Sequence, residues 1–409
     1  MRLLWVKAGG LVPPDVGGKI RSYNILKELA KRHEVTFFSF YAAHPEDEHG
    51  GLEKVFHRSV CVPLDIPPAN SLGDKLNFLR AQISPLPYSV WKYCRPIVRE
   101  RLLELVRGES YDVVICDFLL PAAILPWEMP APKVIFTHNV EAMIWKRHFE
   151  VATSALWKLV SRREFHAMEK FERRELKRAD HVLAVSATDR DTFAAYLPPS
   201  KIDVIPTGVD VDFFRPRSSG EVDGNNLVFT GSMDWLPNEE GLFHFVEETL
   251  PLIRQKRPEV TLTIVGRKPS ARLKAMAERD GNIHVTGRVE DIRPYVDRAA
   301  VYIVPLRVGS GTRLKIFEAM AMGQAIVSTT LGAEGLPVTD GKDILLRDDS
   351  QSFADAVLKL MSDLGLRARL GSAARELVEE SYSWAAVTRD FEGILEKVIN
   401  SKSVSVTQS

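Results

Sequence analysis

The chain has 409 residues, of which 45% are hydrophobic and 26% are charged, as in globular proteins large enough for two separate cores. Lysine plus arginine and aspartate plus glutamate number 54 each, and this balance excludes binding of nucleic acid through bulk charge. No apolar stretch reaches the roughly 20 residues of a membrane-spanning helix, and three cysteines without metal-ligand spacing indicate a reducing compartment.

Short apolar runs alternate with longer segments of helical periodicity, which predicts an α/β fold with parallel sheets covered by helices. The predicted strands of the first half are Leu3 to Val6, Val35 to Phe40, Val113 to Cys116, Val134 to Thr137 and Val182 to Val185. The predicted helices of the first half are Lys19 to Arg32, Pro96 to Val106 and Ala155 to Arg178.

The second half has the same alternation. Its predicted strands are Leu227 to Thr230, Leu262 to Val265, His284 to Thr286, Val301 to Val304, Ile326 to Ser328 and Ile344 to Leu346. Its predicted helices are Glu239 to Arg254, Arg272 to Glu278, Thr312 to Met322, Phe353 to Leu364 and Leu366 to Glu380.

Between the halves, Phe214 to Asn226 is polar, rich in glycine, proline and serine, and without periodicity, which predicts a linker. Near the C-terminus, Trp384 to Ile399 is amphipathic and predicts a final helix. The polar residues 401–409 predict a disordered tail.

A glycine pair, Gly17 and Gly18, stands between the first predicted strand and the first predicted helix. Its spacing is not that of the dinucleotide-binding fingerprint. A glycine pair before a helix still lets a ligand approach the carboxyl end of a sheet closely, although a plain flexible connection is the alternative. On the first helical turn, Arg21 could meet a phosphate or remain a solvated surface charge.

His138 follows the predicted strand Val134 to Thr137 directly. A histidine at a strand end can hydrogen-bond a sugar hydroxyl or help to move a proton, and this position favours such a function over a purely structural one. Asp117 and Glu141 are weaker candidates, because acidic loop residues mostly cap helices.

Two stretches combine basic and aromatic side chains, Lys75 to Arg101 and Trp145 to Arg163. Such stretches can hold a helix on an anionic bilayer. Glutamates at the end of the second stretch and beyond it also fit a solvated helix with mixed charge. Peripheral membrane contact is therefore a hypothesis.

The most informative segment follows the apolar run Ala300 to Val304 and contains a glycine-rich loop, Gly309 to Gly311, that opens a predicted helix. Such a loop offers backbone N–H groups and the positive end of the helix dipole to a phosphate. Arg313 and Lys315 add positive charge, and Glu318 can accept hydrogen bonds from the hydroxyls of a ribose. The segment thus predicts a site for a nucleotide-sugar.

This segment resembles the donor-binding signature of the retaining glycosyltransferases of family 4, which have the two-domain GT-B architecture. Shorter matches follow the family's order along nearly the whole chain. They are Ala184-Val185-Ser186, Val204 to Asp210, Phe229-Thr230-Gly231-Ser232, Ile264-Val265-Gly266, Val285-Thr286-Gly287 and Glu318 to Gly323. Each match is weak alone, but the order and the spacing make the set specific.

Two departures from the family pattern bear on the donor. The family usually has two glutamates separated by seven residues, and Ser310 stands where the first would be. The family pattern therefore does not identify the group that contacts the hexose in this chain. The stretch Gly231 to Asn238 lacks the basic pair that the family often has there, which makes Arg313 and Lys315 the implied diphosphate cations. In both features the chain resembles the exopolysaccharide-associated bacterial sugar transferases.

The resemblance implies two Rossmann-like domains facing across a cleft. Residues 1–206 would form the acceptor-side domain together with a crossing helix at 384–400, and residues 207–383 the donor-binding domain. The implied donor contacts are Gly309, Ser310, Gly311, Thr312, Glu318, Gly231, Arg267 and Val289. The implied catalytic residues are Arg313, Lys315 and His138, and the implied acceptor-side loop residues are Gly17, Gly18 and Arg21.

The family neutralises its leaving diphosphate with cationic side chains and helix dipoles, so the resemblance implies neither a metal nor another cofactor. Asp210-Val211-Asp212, which superficially matches a metal-binding motif of another glycosyltransferase fold, falls where the family begins its domain linker. We therefore expect no metal there.

The implied function is a hexosyltransferase that moves a hexose from a nucleoside-diphosphate sugar to a glycan or lipid-linked hydroxyl with retention of configuration, in cell-surface polysaccharide synthesis. The expected place is the cytoplasm or the inner face of the membrane. Three alternatives stay open: a catalytically inactive glycosyltransferase-like partner subunit, a UDP-sugar 2-epimerase and a glycoside phosphorylase.

Overall fold

The computed structural model describes residues 1–14, 16–42, 51–216, 222–308 and 314–407. The chain forms two compact units, one of Met1–Pro206 with Val387–Ser409 and the other of Thr207–Ala386. Each unit contains one sheet whose strand pairs are all parallel, which confirms the predicted α/β class.

The first unit has a sheet of seven strands in the order β3-β2-β1-β4-β5-β6-β7. Their bounds are β1 (Arg2–Ala8), β2 (Glu34–Ala42), β3 (Arg58–Leu64), β4 (Val113–Asp117), β5 (Lys133–Phe136), β6 (His181–Ala184) and β7 (Ile202–Val204). Strand order reverses between β1 and β4. In open α/β sheets, ligands bind outside the carboxyl ends of the strands at such a switch point.

Seven helices accompany this sheet: α1 (Gly17–Leu29), α2 (Leu72–Ala81), α3 (Tyr88–Trp91), α4 (Pro96–Gly108), α5 (Glu141–Val151), α6 (Ala155–Arg178) and α7 (Ala187–Ala194). Short 3-10 turns occur at Leu52–Lys54, Leu120–Ala123 and Pro199–Lys201. The core strands are apolar and buried without alternation, as expected for parallel strands covered on both faces; in β1 the four residues from Leu3 to Val6 have no exposed surface.

The second unit has a sheet of six strands in the order β10-β9-β8-β11-β12-β13, with its switch point between β8 and β11. Their bounds are β8 (Asp223–Thr230), β9 (Thr261–Val265), β10 (Ile283–Val285), β11 (Ala299–Val304), β12 (Ile326–Ser328) and β13 (Leu345–Leu346). The helices are α8 (Leu236–His244), α9 (Leu250–Lys256), α10 (Ala271–Arg279), α11 (Arg293–Asp297), α12 (Leu314–Ala321), α13 (Ser350–Ser362) and α14 (Leu364–Ser381).

The last helix, α15 (Trp384–Thr407), belongs to the first unit from residue 387 onward. The ring of Phe391 stacks on Trp5 with the ring centroids 5.7 Å apart and meets Phe136 edge-on at 5.4 Å. Glu392 accepts a hydrogen bond from Arg32 at 2.8 Å. The C-terminal helix therefore completes the core beside β1.

Two boundaries differ from the sequence predictions. Helix α15 continues to Thr407, into the segment predicted to be disordered, and Lys402 donates to the carboxylate of Asp180 at 2.9 Å. Strand β8 begins at Asp223, inside the predicted linker, because Asp223 pairs with Ala299 of β11. Residues 217–221 of that linker lie outside the described residues. None of the described helices combines the length and apolar composition needed to cross a membrane.

Candidate functional site

The switch point of the second unit is built on a close approach of two backbone segments. Gly231 follows β8 and Gly266 follows β9, and the Gly231 N–H donates to the carbonyl of Val265 at 2.9 Å. A Cβ atom on Gly266 would lie 1.6 Å from the Gly231 carbonyl oxygen. Only glycine fits at Gly266, because the backbone segments that follow β8 and β9 pack directly against each other at the carboxyl end of the sheet.

The ammonium group of Lys315 lies beside this glycine loop. Its Nζ donates to Oδ1 of Asn238 at 2.7 Å and lies 4.2 Å from the ring centroid of Phe229. Asn238 is buried in the first turn of α8 and donates from Nδ2 to the Ser232 carbonyl at 2.7 Å. A Cβ on Gly231 would come within 2.7 Å of the Lys315 Nζ. These contacts place a cation at the carboxyl end of β8.

Glu318 lies one helical turn after Lys315 on α12. Its side chain is half-buried, and its carboxylate accepts no hydrogen bond from any residue that the structure describes. Burial raises the pKa of Glu318 to about 7, and the neighbouring Lys315 opposes this rise. A sheltered acceptor without a donor suits a ligand hydroxyl group.

The other predicted donor-site residues divide into three cases. Arg267 donates from Nε to the Ser232 hydroxyl at 2.7 Å, so its exposed guanidinium borders the same loop as Lys315. Val289 packs half-buried against the core of the second unit. Five predicted residues lie outside the described residues: Gly309, Ser310, Gly311, Thr312 and Arg313.

The Asp210 carboxylate, part of the discounted metal-like motif, accepts hydrogen bonds from the backbone N–H groups of Asp212 at 3.2 Å and Phe213 at 2.9 Å. It thus closes a local turn, which is an ordinary use of aspartate in a loop.

The switch point of the first unit holds a buried ion pair. Lys7 of β1 and Asp117 of β4 are register partners in the sheet, and the Lys7 Nζ lies 3.0 Å from Oδ2 of Asp117. Trp5 donates from Nε1 to the same oxygen at 3.0 Å. Burial alone would raise the pKa of the Asp117 carboxyl group, but Lys7 and His138 lower it below its usual range.

His138 is bound at both ring nitrogens. Its Nε2 lies 2.6 Å from Oδ1 of Asp117, and its Nδ1 lies 2.8 Å from Nη1 of Arg21. Because a guanidinium only donates, Nδ1 must accept, and Nε2 carries the proton that is shared with Asp117. Burial lowers the pKa of His138 to about 4, against the opposing charge of Asp117. The imidazole is therefore neutral over the physiological range.

Gly18 makes room for an aromatic ring that covers this histidine. Phe118, at a left-handed φ of 69°, stacks on His138 with the ring centroids 3.9 Å apart. A Cβ on Gly18 would lie 2.5 Å from the Phe118 ring, whereas a Cβ on Gly17 would meet no atom within 4 Å. The tight fit explains a glycine at Gly18 but not at Gly17.

Arg21 is buried, and the alternative that it is a solvated surface charge is wrong. Burial lowers the pKa of Arg21 to about 10, and the charges of Asp117 and Asp189 oppose this shift. The guanidinium is charged at neutral pH and directed at His138 by the hydrogen bond to Nδ1.

The structure thus brings predicted residues together within each unit: Gly18, Arg21 and His138 in the first, and Gly231, Arg267, Lys315 and Glu318 in the second. It adds Lys7, Trp5, Phe118 and Asn238, which the sequence did not single out. A signal for Lys7 exists, because a lysine at the end of an apolar strand and Asp117 at the end of another would meet if the strands were neighbours.

Comparison with known proteins gives two family matches. A family model described as "Glycosyltransferase Family 4" matches residues 17–213. A second model, described as "Glycosyl transferases group 1", matches residues 224–363. The first match covers the first unit from residue 17 to Pro206 and extends to residue 213 of the second unit, and the second match falls within the second unit.

Individual proteins are similar to the chain over most of its length. An uncharacterized 44.6 kDa protein in the cps region of Klebsiella pneumoniae is 23% identical over 323 residues, which are 76% of this chain and 78% of that protein. An MMP alpha-(1->4)-mannosyltransferase of Mycolicibacterium hassiacum is 26% identical over 311 residues, 73% of each chain. The crystal structure of Anabaena Alr3699/HepE in complex with UDP has a TM-score of 0.63 at 14% identity, and the match covers 97% of this chain and 100% of that one.

Proposed function

Because this chain belongs to glycosyltransferase family 4 and has the GT-B fold of two doubly wound units, we propose that it is a retaining hexosyltransferase. It moves a hexose from a nucleoside-diphosphate sugar to a hydroxyl group of a glycan or lipid-linked acceptor, in the synthesis of cell-surface polysaccharide. The mannosyltransferase relative and the relative from a cps region support this choice of reaction. The UDP complex of a protein with the same fold supports a nucleotide-sugar as donor.

The observation that carries the proposal is the pair Lys315 and Glu318 on one helix at the switch point. The fixed ammonium suits a diphosphate, and the carboxylate, to which none of the described residues donates, suits the hydroxyls of a ribose. The two residues are separated by about 4.5 Å along the axis of α12. One nucleotide can therefore meet both groups.

Catalysis in this scheme is mainly electrostatic. As the glycosidic bond breaks, negative charge grows on the diphosphate, and Lys315 stabilises it together with the predicted cation Arg313. The acceptor oxygen bonds to the anomeric carbon on the face from which the diphosphate departs, so the configuration is kept. A diphosphate oxygen takes the hydroxyl proton, and the scheme requires no metal.

His138 stays a predicted contact of the donor sugar. Since its Nε2–H is held by Asp117, a sugar hydroxyl can reach only Nδ1, and it would have to replace or share the hydrogen bond from Arg21. A neutral imidazole with a pKa of about 4 is an orienting acceptor rather than a proton donor in this scheme.

We place the reaction in a reducing compartment such as the cytoplasm. All three cysteines are free thiols: Cys61 and Cys94 are half-buried and Cys116 is buried. Free thiols in this number are usual where glutathione keeps proteins reduced.

The test of the proposal is a panel of hexoses linked to UDP, GDP, ADP and TDP, with and without candidate glycan acceptors. Nucleotide release is measured, and the anomeric configuration of the product is read by NMR. A retained configuration supports the proposal, and an inverted product overturns the retaining assignment. An inactive partner subunit releases no nucleotide with any donor, and a 2-epimerase changes the hexose without an acceptor.

Glu318→Gln is expected to weaken binding of the nucleoside diphosphate about tenfold, because a hydrogen bond to a charged acceptor becomes one to a neutral amide. The pKa of the Glu318 carboxyl group is raised to about 7, so wild-type affinity should rise as pH increases through this value and the carboxylate forms. Calorimetric titration at about pH 6 and about pH 8 measures both effects. Titration of the ligand's own phosphate affects both proteins alike, and equal pH profiles for the two would contradict the ribose role.

Gly231→Ala is expected to lower turnover roughly tenfold to a hundredfold, since displacement of a positioned group by a fraction of an ångström to one ångström has effects of this size. The new Cβ would lie 2.7 Å from the Lys315 Nζ and 2.8 Å from Nδ2 of Asn238, so the ammonium must move. Gly224→Ala is the matched control, because Gly224 lies on β8, the strand that Gly231 follows, and a Cβ there meets no atom within 4 Å. Steady-state kinetics of the two variants decide; equal turnover would count against the placement of Lys315.

A further inference from the structure

An exposed aliphatic stripe runs along α2 in the first unit. Leu72, Leu76 and Leu79 follow one another at spacings of four and three residues, which places them on one face of α2, and Ile83 lies two residues after the helix ends. Their exposed fractions are 75%, 47%, 64% and 94%. The buried residue of α2 is Ala81. This helix therefore turns its apolar face outward, the reverse of an ordinary surface helix.

A second exposed aliphatic cluster lies where α5 ends and α6 begins. Val151 is 73% exposed, Leu156 is 72% exposed and Leu159 is 66% exposed. The first five residues of α6 are all exposed, and burial in this helix begins at Ser161. The start of α6 thus presents apolar side chains to solvent.

Arg163 connects the two clusters. Its guanidinium donates to the carbonyl oxygens of Ala81 at 2.9 Å and Leu86 at 3.2 Å, so the end of α2 packs against α6. Arg163 lies about 6 Å along the α6 axis from Leu159. We call the combined surface the docking face, defined by Leu72, Leu76, Leu79, Ile83, Val151, Leu156 and Leu159.

The docking face is rich in positive charge. The segments 72–83 and 150–163 contain five basic residues, which are Lys75, Arg80, Lys158, Arg162 and Arg163, and two acidic residues, Asp74 and Glu150; Arg163 is paired with Glu164. Lys75, Arg80 and Arg162 are exposed and form no ion pair with a residue that the structure describes. The whole chain has a net charge of zero, so this excess is local.

The aromatic residues of the first basic stretch, Lys75 to Arg101, do not form the face. Phe78 meets Tyr88 edge-on with the ring centroids 5.1 Å apart, and Tyr88 stacks on Trp91 at 6.3 Å. All three rings are half-buried against one another. The exposed apolar surface consists mainly of leucine, isoleucine and valine, and Trp157 on the first turn of α6 is 41% exposed beside Leu156.

We propose that the docking face binds the surface of a bilayer that contains anionic lipids. Its aliphatic side chains enter the boundary between headgroups and acyl chains, and its basic side chains meet the anionic headgroups. A second copy of the chain is a poorer occupant, because symmetric apposition would bring like charges together. The docking face contains no residue of the donor site, and its binding of lipid is a property separate from the proposed transferase reaction.

The test is flotation of the full chain with vesicles of phosphatidylcholine alone and of phosphatidylcholine mixed with phosphatidylglycerol. We expect the wild type to float with the mixed vesicles, and binding to fall as salt is raised. Leu79→Ser/Ile83→Ser and, separately, Lys75→Glu/Arg80→Glu should reduce the bound fraction about tenfold. Leu364→Ser is the matched control, since Leu364 is 63% exposed on the second unit and should not affect binding.

The substituted side chains are exposed, so thermal melts of these variants should match the wild type. Failure of the wild type to float, or equal flotation of the docking-face variants and the control, would overturn the proposal. So would a dimer in sedimentation without lipid that Leu79→Ser/Ile83→Ser converts to a monomer, because the face would then join two copies. Nucleotide release from the donor panel is measured without lipid. Its outcome tests the proposed transferase reaction and does not depend on whether the docking face binds lipid.

Discussion

Lys315→Ala should lower kcat by about two to three orders of magnitude, a loss of roughly 3 to 4 kcal/mol of transition-state stabilisation. Lys315 is the described cation held at the carboxyl end of β8 by Asn238 and the face of Phe229. Its charge matters most when the diphosphate leaves, so kcat should fall more than donor affinity. Steady-state and single-turnover kinetics with the preferred donor measure this split.

The control for this variant is Lys342→Ala, an exposed lysine of the same unit, which should keep full turnover. Asn238→Ala should give an intermediate loss, since the ammonium keeps its charge but loses the acceptor at 2.7 Å. Near-normal turnover of Lys315→Ala with an unchanged melting curve would refute the leaving-group role. Arg313→Ala, predicted from the resemblance, should show a loss of the same order.

Asp117→Ala should destabilise the first unit by about 3 to 5 kcal/mol, because it leaves Lys7 charged, buried and unpaired. The Lys7 side chain is 2% exposed and that of Asp117 is fully buried, so water cannot replace the lost carboxylate. The same change removes the acceptor that fixes the His138 tautomer and thereby the orientation of Arg21. Hydrogen exchange of the β1 and β4 amides measures the local stability of this unit.

Asp65→Ala provides the comparison, because Asp65 is exposed and lies one residue after β3 of the same unit; it should change stability by less than about 1 kcal/mol. Lys7→Met combined with Asp117→Ala should cost less than the sum of the single changes, since no unpaired charge remains. Additive costs would mean that packing, not the ion pair, carries the stability.

The pH dependence of this unit has a defined sign. His138 has a folded-state pKa of about 4 against its ordinary 6.5, so the stability of its neutral form is lost as pH falls from about 6.5 to about 4. The depressed pKa of Asp117 adds a further loss below its ordinary value of 3.8. His138→Gln should remove the first of these losses.

The strands that the sequence predicted are those with continuous apolar runs, and all of them are present. Strand β3 was not predicted because it is an edge strand with partly exposed residues and with Pro63 inside it. Strand β7 has only three residues and is too short for a periodicity. Helix α5 was not predicted either, although it has Glu141 in its first turn.

The residues of the candidate site likewise divide into those that the sequence predicted and those that it did not. Gly231, Lys315 and Glu318 could be predicted because they belong to short motifs whose residues lie close together in the sequence. The ion pair of Lys7 and Asp117 joins residues 110 positions apart and depends on β1 lying beside β4, which no local pattern contains. The burial of Arg21 likewise depends on His138, which comes from another strand.

The position of Phe391 against Trp5 and Phe136 affects how the protein is made. A ribosome releases residues 207–386 before it releases the segment that carries Phe391, so the second unit can finish folding while the first still lacks part of its core. The first unit can therefore complete its core only after residues 387 onward have been translated. Released chains truncated shortly before residue 387 should contain a protease-resistant second unit beside a protease-sensitive first one.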